Sequence, residues 1–115
     1  MKKFRVWSNY WKKYATEAEL YMDGSVDATF EDDDGVPHHE NTDLVVEFKT
    51  GLKDKNGREI YENCELNGGY IVEYIAPSFV GRDIINGDII ELYDNKFTIT
   101  KEHSKVPQNS ERSID

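Results

Sequence analysis

The sequence is short of the features that staple a protein together or anchor it in a membrane. It has one cysteine, Cys64, so it cannot form an internal disulfide, which excludes a disulfide-stapled secreted scaffold. No apolar run is long enough to form a helix that spans a bilayer. The basic residues 1–5 are not followed by the apolar stretch that a signal peptide needs. These absences predict a cytoplasmic protein with no membrane partner.

Recognisable catalytic motifs are also missing. The chain contains no Gly-x-Ser-x-Gly nucleophile elbow, no phosphate-binding P-loop and no Gly-x-Gly-x-x-Gly dinucleotide fingerprint. Cys64 lies between Glu62 and Glu65, whose negative charges disfavour the thiolate that a nucleophilic cysteine requires. We therefore expect a protein that is not an enzyme, with no catalytic residues, no metal and no cofactor, and an incidental thiol at Cys64.

Basic residues are absent from residues 14–48, although the chain has 14 lysines and arginines in total. The same segment holds eleven acidic residues, and the net charge of the whole chain is −9. A negative field of this kind repels phosphate backbones, so direct binding of duplex nucleic acid is disfavoured. The segment is expected to be either a solvated loop and charged outer face or a surface that binds a basic protein.

What the sequence does contain is a dense series of short strand patterns separated by turn residues. The spacing predicts a mainly β fold with a minor α+β character: a compact antiparallel sheet or a small SH3-like, partly open barrel, with at most one short helix. We expect residues 1–102 to form a single β-rich domain with an acidic loop at 31–43. Residues 103–115 are polar and are expected to form a flexible tail.

Individual elements follow from local patterns. Asp23-Gly24 supplies the positive φ of a tight turn and predicts a hairpin over residues 20–30, with Met22 on its apolar face. A second hairpin is predicted over 88–100, and a weak signal predicts one or two helical turns over 14–20. The remaining predicted strands lie at residues 3–7, 44–48 and 70–75.

A short internal echo is also present. Gly-Arg-Glu-Ile at residues 57–60 is matched by Gly-Arg-Asp-Ile at residues 81–84. The two copies indicate either a repeated turn–strand unit or a coincidence of four residues.

Adjacent histidines at His38 and His39 suggest a divalent metal site, together with Glu40, Asp43 and the aspartates at 32–34. Neighbouring side chains in an extended segment point in opposite directions, and the spacing matches no zinc motif. Three consecutive aspartates also lack the alternation of a calcium-binding loop. A solvated loop is therefore the favoured interpretation.

Aromatic and basic side chains alternate near the start of the chain. Such a strip can stack on single-stranded nucleic acid and neutralise its phosphates. The alternative is that the rings pack in the core while lysine stems cover them, and the net negative charge favours this alternative. The residues concerned are Trp7, Tyr10, Trp11 and Tyr14 together with Lys2, Lys3, Arg5, Lys12 and Lys13.

Residues 50–62, Thr-Gly-Leu-Lys-Asp-Lys-Asn-Gly-Arg-Glu-Ile-Tyr-Glu, resemble the hallmark of the YopX-like family of uncharacterised phage and prophage proteins. Residues 3–7 are similar to the start of that family, and residues 71–74 with 78–80 are similar to a later strand. Where the family continues with Gly-Asp-Ile-Val, this chain has Asn-Cys-Glu-Leu at 63–66. The chain thus resembles a divergent or shortened member.

The resemblance implies a β-rich, non-structural accessory protein that is encoded by a phage or prophage and acts in the cytoplasm of the bacterial host. It brings no catalytic residues with it. The hallmark itself reads as a strand–turn–strand in which Leu52 and Ile60 flank a solvated tip.

Charge and family context together lead to a first functional hypothesis. The protein would act without catalysis, by binding a host or phage protein that has a basic surface, as an anti-CRISPR or anti-restriction inhibitor does. The sequence also leaves a homo-oligomer open. The candidate partner-binding residues are Glu31, Asp32, Asp33, Asp34, Glu40 and Asp43.

A second hypothesis belongs to a different class. An oligomeric β-rich protein can form pockets for a nucleotide signal, and the basic tip of the hallmark would then contact phosphates. The candidate ligand-binding residues are Lys53, Lys55 and Arg58. Single-stranded nucleic-acid binding by the N-terminal strip is a third, weaker alternative.

Overall fold

The computed structural model describes residues 3–104, which form twelve β-strands and no helix. The prediction of a mainly β fold is confirmed. Among these residues there is accordingly no helix long and apolar enough to cross a membrane. The strands are β1 (Phe4–Ser8), β2 (Lys13–Tyr14), β3 (Glu17–Leu20), β4 (Val26–Glu31), β5 (Pro37–Glu40), β6 (Leu44–Lys53), β7 (Glu59–Tyr61), β8 (Glu65–Leu66), β9 (Tyr70–Ile75), β10 (Ser78–Asp83), β11 (Ile89–Glu91) and β12 (Ile99–Lys101).

The chain divides into two compact units, one ending at Phe48 and the other beginning at Lys49. Strand β6 contributes to both, because its first half pairs with β1 and its second half pairs with β7. That residues 1–102 behave as one domain stays a prediction. Of the predicted tail at 103–115, only residues 103 and 104 are described, and Ser104 is tied to Asn63 by a backbone hydrogen bond of 2.8 Å. The rest of that prediction lies outside the described residues.

The first unit contains the antiparallel set β2-β1-β6 and the three-stranded sheet β3-β4-β5. Alternation along β4 explains how the three-stranded sheet divides into two faces. Ala28 and Phe30 are buried and form the core with Val6, whereas Asp27 is exposed. The outer face of the sheet is therefore free to carry charge without any loss to the core.

The helical turns predicted over residues 14–20 are wrong, because this segment forms β2 and β3. Its backbone groups bond across to other strands instead of along the chain. Ala15 N–H donates to Val6 O at 2.9 Å, and Thr16 N–H donates to Thr29 O at 2.8 Å. Pairing with β1 and β4 thus overrides a weak local helical preference.

The hairpin predicted over residues 20–30 is confirmed as β3 and β4, and Gly24 has the expected positive φ of 91°. Met22 does not lie on the apolar face, however, and is fully exposed. Tyr21 N–H donates to Ser25 O at 2.8 Å, which closes the turn around Met22 and ends the strand alternation at Leu20. The apolar face is therefore shorter than predicted.

The acidic loop predicted at residues 31–43 is wrong at residue 31 and at residues 37–40, which lie in strands. Glu31 is the last residue of β4, and Pro37–Glu40 form β5, which pairs with β4. The Asp32 carboxylate accepts the backbone N–H groups of Asp34 and Val36, both at 2.9 Å, and this closes a tight turn. The polar composition of this segment led to the prediction of a loop, whereas Asp32 stabilises the turn of a β4–β5 hairpin.

The second unit contains the five-stranded sheet β11-β10-β9-β8-β12. The strand predicted at residues 70–75 is confirmed as β9, but the final hairpin over 88–100 is wrong. Strand β11 pairs with β10 and strand β12 pairs with β8. Asp94 turns the intervening chain toward β6, because its Oδ1 accepts Lys53 N–H at 2.8 Å. The core consists of Ile60, Cys64, Leu66, Val72, Phe97 and Ile99.

The echo between residues 57–60 and 81–84 does not correspond to a structural repeat. Gly57 has a positive φ of 83° in the turn between β6 and β7. Gly81 lies inside β10, where an added Cβ would come within 3.1 Å of Ile90 Cγ1. Gly57 is needed for its positive φ, whereas Gly81 is needed because there is little room for a Cβ beside Ile90.

Candidate protein-binding surface

The outer face of the sheet β3-β4-β5 carries a compact group of acidic side chains. Strand pairing sets Glu17 opposite Thr29 and Glu19 opposite Asp27. All three acidic residues are exposed, and side chains opposite each other on one face have Cβ atoms about 5 Å apart. His39 continues the Glu17–Thr29 row on β5, and its Nδ1 lies 3.0 Å from Thr29 Oγ1. We call Glu17, Glu19 and Asp27 the acidic sheet face.

Tyr21 joins two of these carboxylates. Its hydroxyl shares its one proton between Asp27 Oδ2, at 3.0 Å, and Glu19 Oε1, at 3.1 Å. Hydrogen bonds from the neutral phenol to Asp27 and Glu19 raise the pKa of Tyr21 to about 12. The tyrosine thus holds two like charges close together on an exposed surface.

Tyr21 should remain protonated at pH 11 in the native protein, because ionising it would place a third negative charge beside two carboxylates. NMR of the ¹³C-labelled tyrosine rings during a titration provides the measurement. In Glu19→Gln/Asp27→Asn, we expect the pKa of Tyr21 to return toward its usual value of 10.0. An unchanged titration in this variant would contradict the arrangement.

The residues predicted to bind a partner separate into two groups. Glu31, Asp33 and Asp34 are exposed at the end of the β4–β5 hairpin. Glu40 and Asp43 line a groove of about 390 Å³ with Tyr10, Trp11 and His38, among others. Asp32 belongs to neither group, because its carboxylate is occupied in the turn.

Asp32 has a second partner besides the backbone. Its Oδ2 lies 2.9 Å from His38 Nε2, and the hydrogen bond from His38, followed by that from Val36 N–H, lowers the pKa of Asp32. His38 pairs with Phe30, whereas His39 occupies the next position and pairs with Thr29, so the two histidines face opposite sides of the sheet. Within residues 3–104, no group of three His, Cys, Asp or Glu side chains is placed to hold a metal ion.

The N-terminal aromatic and basic side chains pack against each other. Arg5 Cζ lies 4.3 Å from the centre of the Tyr14 ring, and the Trp7 and Tyr14 rings meet edge to face at 5.0 Å. Lys13 Nζ donates to the backbone oxygen of Glu31. These contacts support the packing interpretation for this part of the strip. Tyr10, in contrast, is 74% exposed, and Lys2 lies outside the described residues.

Glu47 is an acidic residue that sequence reasoning placed in the charged segment but that is fully buried. Its Oε1 accepts Arg5 Nε–H at 2.8 Å and the Tyr14 hydroxyl at 2.8 Å. The sequence signal for this burial is the position of Glu47 between Val46 and Phe48. An acidic residue is unusual within such an apolar run. Glu47 therefore belongs to the interior of the first unit and does not contribute to a docking surface.

The hallmark turn is organised by Asp54, whose side chain is also fully buried. Its Oδ1 accepts Asn56 and Arg58 N–H, both at 2.9 Å, and its Oδ2 accepts Ile99 N–H at 3.2 Å. Burial alone would raise the pKa of Asp54, but these backbone hydrogen bonds outweigh it and the pKa is lowered. Asp54 is a structural centre that the sequence did not single out.

Arg58 is committed to the same structural centre. Its Nη2–H donates to Ile99 O at 2.8 Å, and its Nη1–H donates to Glu102 Oε2 at 3.2 Å. Lys53 and Lys55 are exposed. That these three residues bind a phosphate stays a prediction, although the engagement of Arg58 does not favour it.

Cys64 is buried in the core of the second unit, with its Sγ 3.9 Å from Glu102 Oε1. In this contact the Cys64 S–H donates to the Glu102 carboxylate, and the negative charge of that carboxylate opposes formation of a thiolate. The arrangement is consistent with a thiol that fills space.

Comparison with known proteins places the chain in a family. Residues 3–74 match the family model described as YopX protein. No curated protein matches. Among solved structures, protein EF1440 from Enterococcus faecalis is similar, with a TM-score of 0.59 and 20% identity over 93% of this chain and 96% of that chain. That likeness shows the fold alone, but the family match spans more than half of the sequence, and the chain therefore belongs to the YopX protein family.

Proposed function

We propose that this protein acts without catalysis, by binding the basic surface of another protein through the acidic sheet face. The observation that carries the proposal is the strand pairing that gathers Glu17, Glu19 and Asp27 on one exposed face. A phage-encoded protein of this kind suits the role of an inhibitor that occupies the basic nucleic-acid channel of a host defence protein.

Charge distribution supports this proposal. Residues 14–48 contain no lysine or arginine to neutralise the acidic sheet face. The exposed tip residues Glu31, Asp33 and Asp34 extend the negative charge along the β4–β5 hairpin. Complementary charge accelerates encounter with a positive surface and rejects partners of like charge.

Strand geometry adds a second line of support. Antiparallel pairing sets the backbone of these acidic residues at neighbouring positions, and Tyr21 ties the Glu19 and Asp27 carboxylates together. A surface that is ordered before binding loses less conformational entropy when a partner docks. The acidic sheet face is therefore better suited to recognition than the same charges on a flexible loop.

Nucleotide binding at the hallmark turn has less support. Asp54, Ile99 and Glu102 already accept hydrogen bonds from the Arg58 guanidinium. Moving Arg58 to a phosphate would break contacts that hold the turn to the strand at Ile99.

The proposal is tested by comparing two matched variants in a nuclease-treated pull-down from host lysate. Glu19→Gln/Asp27→Asn neutralises the acidic sheet face, and Asp88→Asn/Glu91→Gln makes the same change in charge at exposed positions of the second unit. The two pairs of substituted residues are comparable, because Glu91 also accepts a hydrogen bond from a tyrosine hydroxyl, that of Tyr93, at 2.9 Å.

A protein that is captured by the native chain and by Asp88→Asn/Glu91→Gln, but lost with Glu19→Gln/Asp27→Asn, is the expected result. With that partner purified, the association rate constant should fall roughly tenfold at low salt in the sheet-face variant, with a weaker dependence on ionic strength. Equal capture by the two variants would overturn the proposal.

A further inference from the structure

The groove beside the β4–β5 hairpin combines aromatic rings with carboxylates. Tyr10 and Trp11 line it together with His38, Glu40 and Asp43. Tyr10 is 74% exposed, and its ring meets the Trp11 ring edge to face, with centroids 5.5 Å apart. The Trp11 ring is also 5.0 Å from the His38 ring. An exposed aromatic wall of this kind is available for contact with a ligand.

Local backbone structure holds the groove open. Ser8 is buried, and its Oγ accepts the backbone N–H groups of Tyr10 at 3.1 Å and Trp11 at 2.8 Å. Asn9 N–H donates to Asp43 O at 3.1 Å, which joins the turn after β1 to the residue before β6. Asp43 has a positive φ of 61°, a conformation that costs free energy for a residue other than glycine and is often found at functional sites.

The carboxylates of the groove have capacity for a ligand. Glu40 Oε2 accepts Trp11 Nε1–H at 3.1 Å, which orients both side chains. Glu40 Oε1 and the Asp43 carboxylate accept no hydrogen bond from residues 3–104. The Glu40 carboxylate is bonded to Trp11, and Asp43 is part of the same groove lining. Acidic residues together with aromatic rings favour an organic cation, because negative charge and the ring quadrupole both attract it.

A cation of the chain itself shows that one side of Trp11 is compatible with positive charge. Lys13 Nζ lies 5.9 Å from the centre of the Trp11 ring and is bonded to the backbone oxygen of Glu31. Lys13 does not line the groove.

We propose that this groove receives an arginine side chain from the basic partner. The planar guanidinium stacks on aromatic rings and binds carboxylates through two N–H groups, which a lysine ammonium does not do. That the arginine comes from a basic partner protein rests on the proposed function. Binding of the guanidinium itself depends only on Tyr10, Trp11, Glu40 and Asp43.

The test uses Nα-acetyl-L-arginine amide, with the neutral citrulline analogue and the lysine analogue as controls. Binding is followed through the indole N–H resonance of Trp11, which is distinguished from that of Trp7 by its loss in Trp11→Phe. The arginine compound should move this resonance saturably at millimolar concentration, the lysine compound should act more weakly, and the citrulline compound should leave it in place.

Variants then locate the interaction. Glu40→Gln/Asp43→Asn should weaken binding roughly tenfold, because both charges are lost while Gln can still accept the Trp11 N–H and Asn tolerates a positive φ. Tyr10→Ala removes one aromatic wall at an exposed position and should also weaken it. Glu19→Gln/Asp27→Asn should bind the arginine compound as the native protein does.

The outcomes separate the inference from the proposed function. An equal response to citrulline, or unchanged binding in Glu40→Gln/Asp43→Asn, overturns the arginine site while the acidic sheet face still stands. An equal response to the lysine compound overturns the preference for arginine. If the arginine response is specific but no partner depends on Glu19 and Asp27, the groove stands and the proposed function fails.

Discussion

Replacing Asp54 with alanine is expected to lower the free energy of unfolding by about 3–5 kcal/mol. The buried carboxylate accepts three backbone N–H groups, and Arg58 Nε lies 3.4 Å from its Oδ2. Alanine supplies none of these acceptors and leaves the donors of Asn56 and Ile99 without this partner. The loss includes both the hydrogen bonds and the desolvation of the donors that remain.

Urea denaturation followed by far-UV circular dichroism measures this effect. Trp7 and Trp11 both lie before Phe48, so their fluorescence does not report directly on the unit that contains Asp54. Asp32→Ala is the matched control, because Asp32 accepts the same pair of N–H groups, two and four residues later, in an exposed turn. We expect a much smaller loss in the control, and equal losses would contradict the importance of burial at Asp54.

Glu47→Ala is expected to cost about 3–5 kcal/mol of unfolding free energy in the first unit. The side chain of Glu47 is 0% exposed and that of its ion-pair partner Arg5 is 16% exposed. Removing the carboxylate takes from Arg5 its Nε acceptor and from Tyr14 its 2.8 Å hydroxyl acceptor. A positive charge largely withdrawn from water then lacks this compensation.

Tryptophan fluorescence during urea denaturation reports this change directly, because Trp7 packs on Tyr14. Glu47→Gln provides the control: it keeps a hydrogen-bond acceptor and side-chain volume but removes the charge, so its loss should be intermediate. A loss of unfolding free energy below about 1 kcal/mol for Glu47→Ala would contradict the prediction, because it would mean that the Arg5–Glu47 pair contributes no more than a surface ion pair.

Sequence patterns predicted the strands best where apolar residues alternate with polar ones or form a short run. Strand β1 falls at the alternating residues 3–7, and β9 and the start of β6 fall at the apolar runs of residues 70–75 and 44–48. The pattern failed at β5, where residues 37–40 have strongly polar composition and only pairing with β4 reveals the strand. It failed again at residues 88–100, because adjacent strands prefer to pair and here the chain instead runs to separate edges of the sheet.

The turns at Asp32 and Asp54 share a local sequence pattern. Asp32 and Asp54 each precede a glycine by three residues, and Gly35 and Gly57 have similar positive φ values of 81° and 83°. In both turns the first residue's carboxylate caps the N–H groups that follow. An aspartate three residues before a glycine, as in the hallmark turn, therefore predicts the turn of the β4–β5 hairpin in the acidic segment.

The candidate site was only partly predictable for a related reason. Composition identified an acidic segment, but not which charges share a face. Glu47 enters the core, Asp32 enters a turn, and Glu19 and Asp27 meet on the surface through strand pairing. Contacts between residues far apart in sequence, such as Trp11 with Glu40, have no local signature at all.

The alternation of charge and apolar volume along β4 also bears on how faithfully the chain folds. A slip of one residue against β3 would turn Asp27 inward and Phe30 outward, which exchanges a buried ring for a buried charge. Such mispaired states are therefore strongly penalised. Repulsion between the acidic faces of neighbouring copies likewise opposes stacking of exposed sheets during synthesis. Surface charge thus favours the correct register of the hairpin and opposes self-association even when no partner is present.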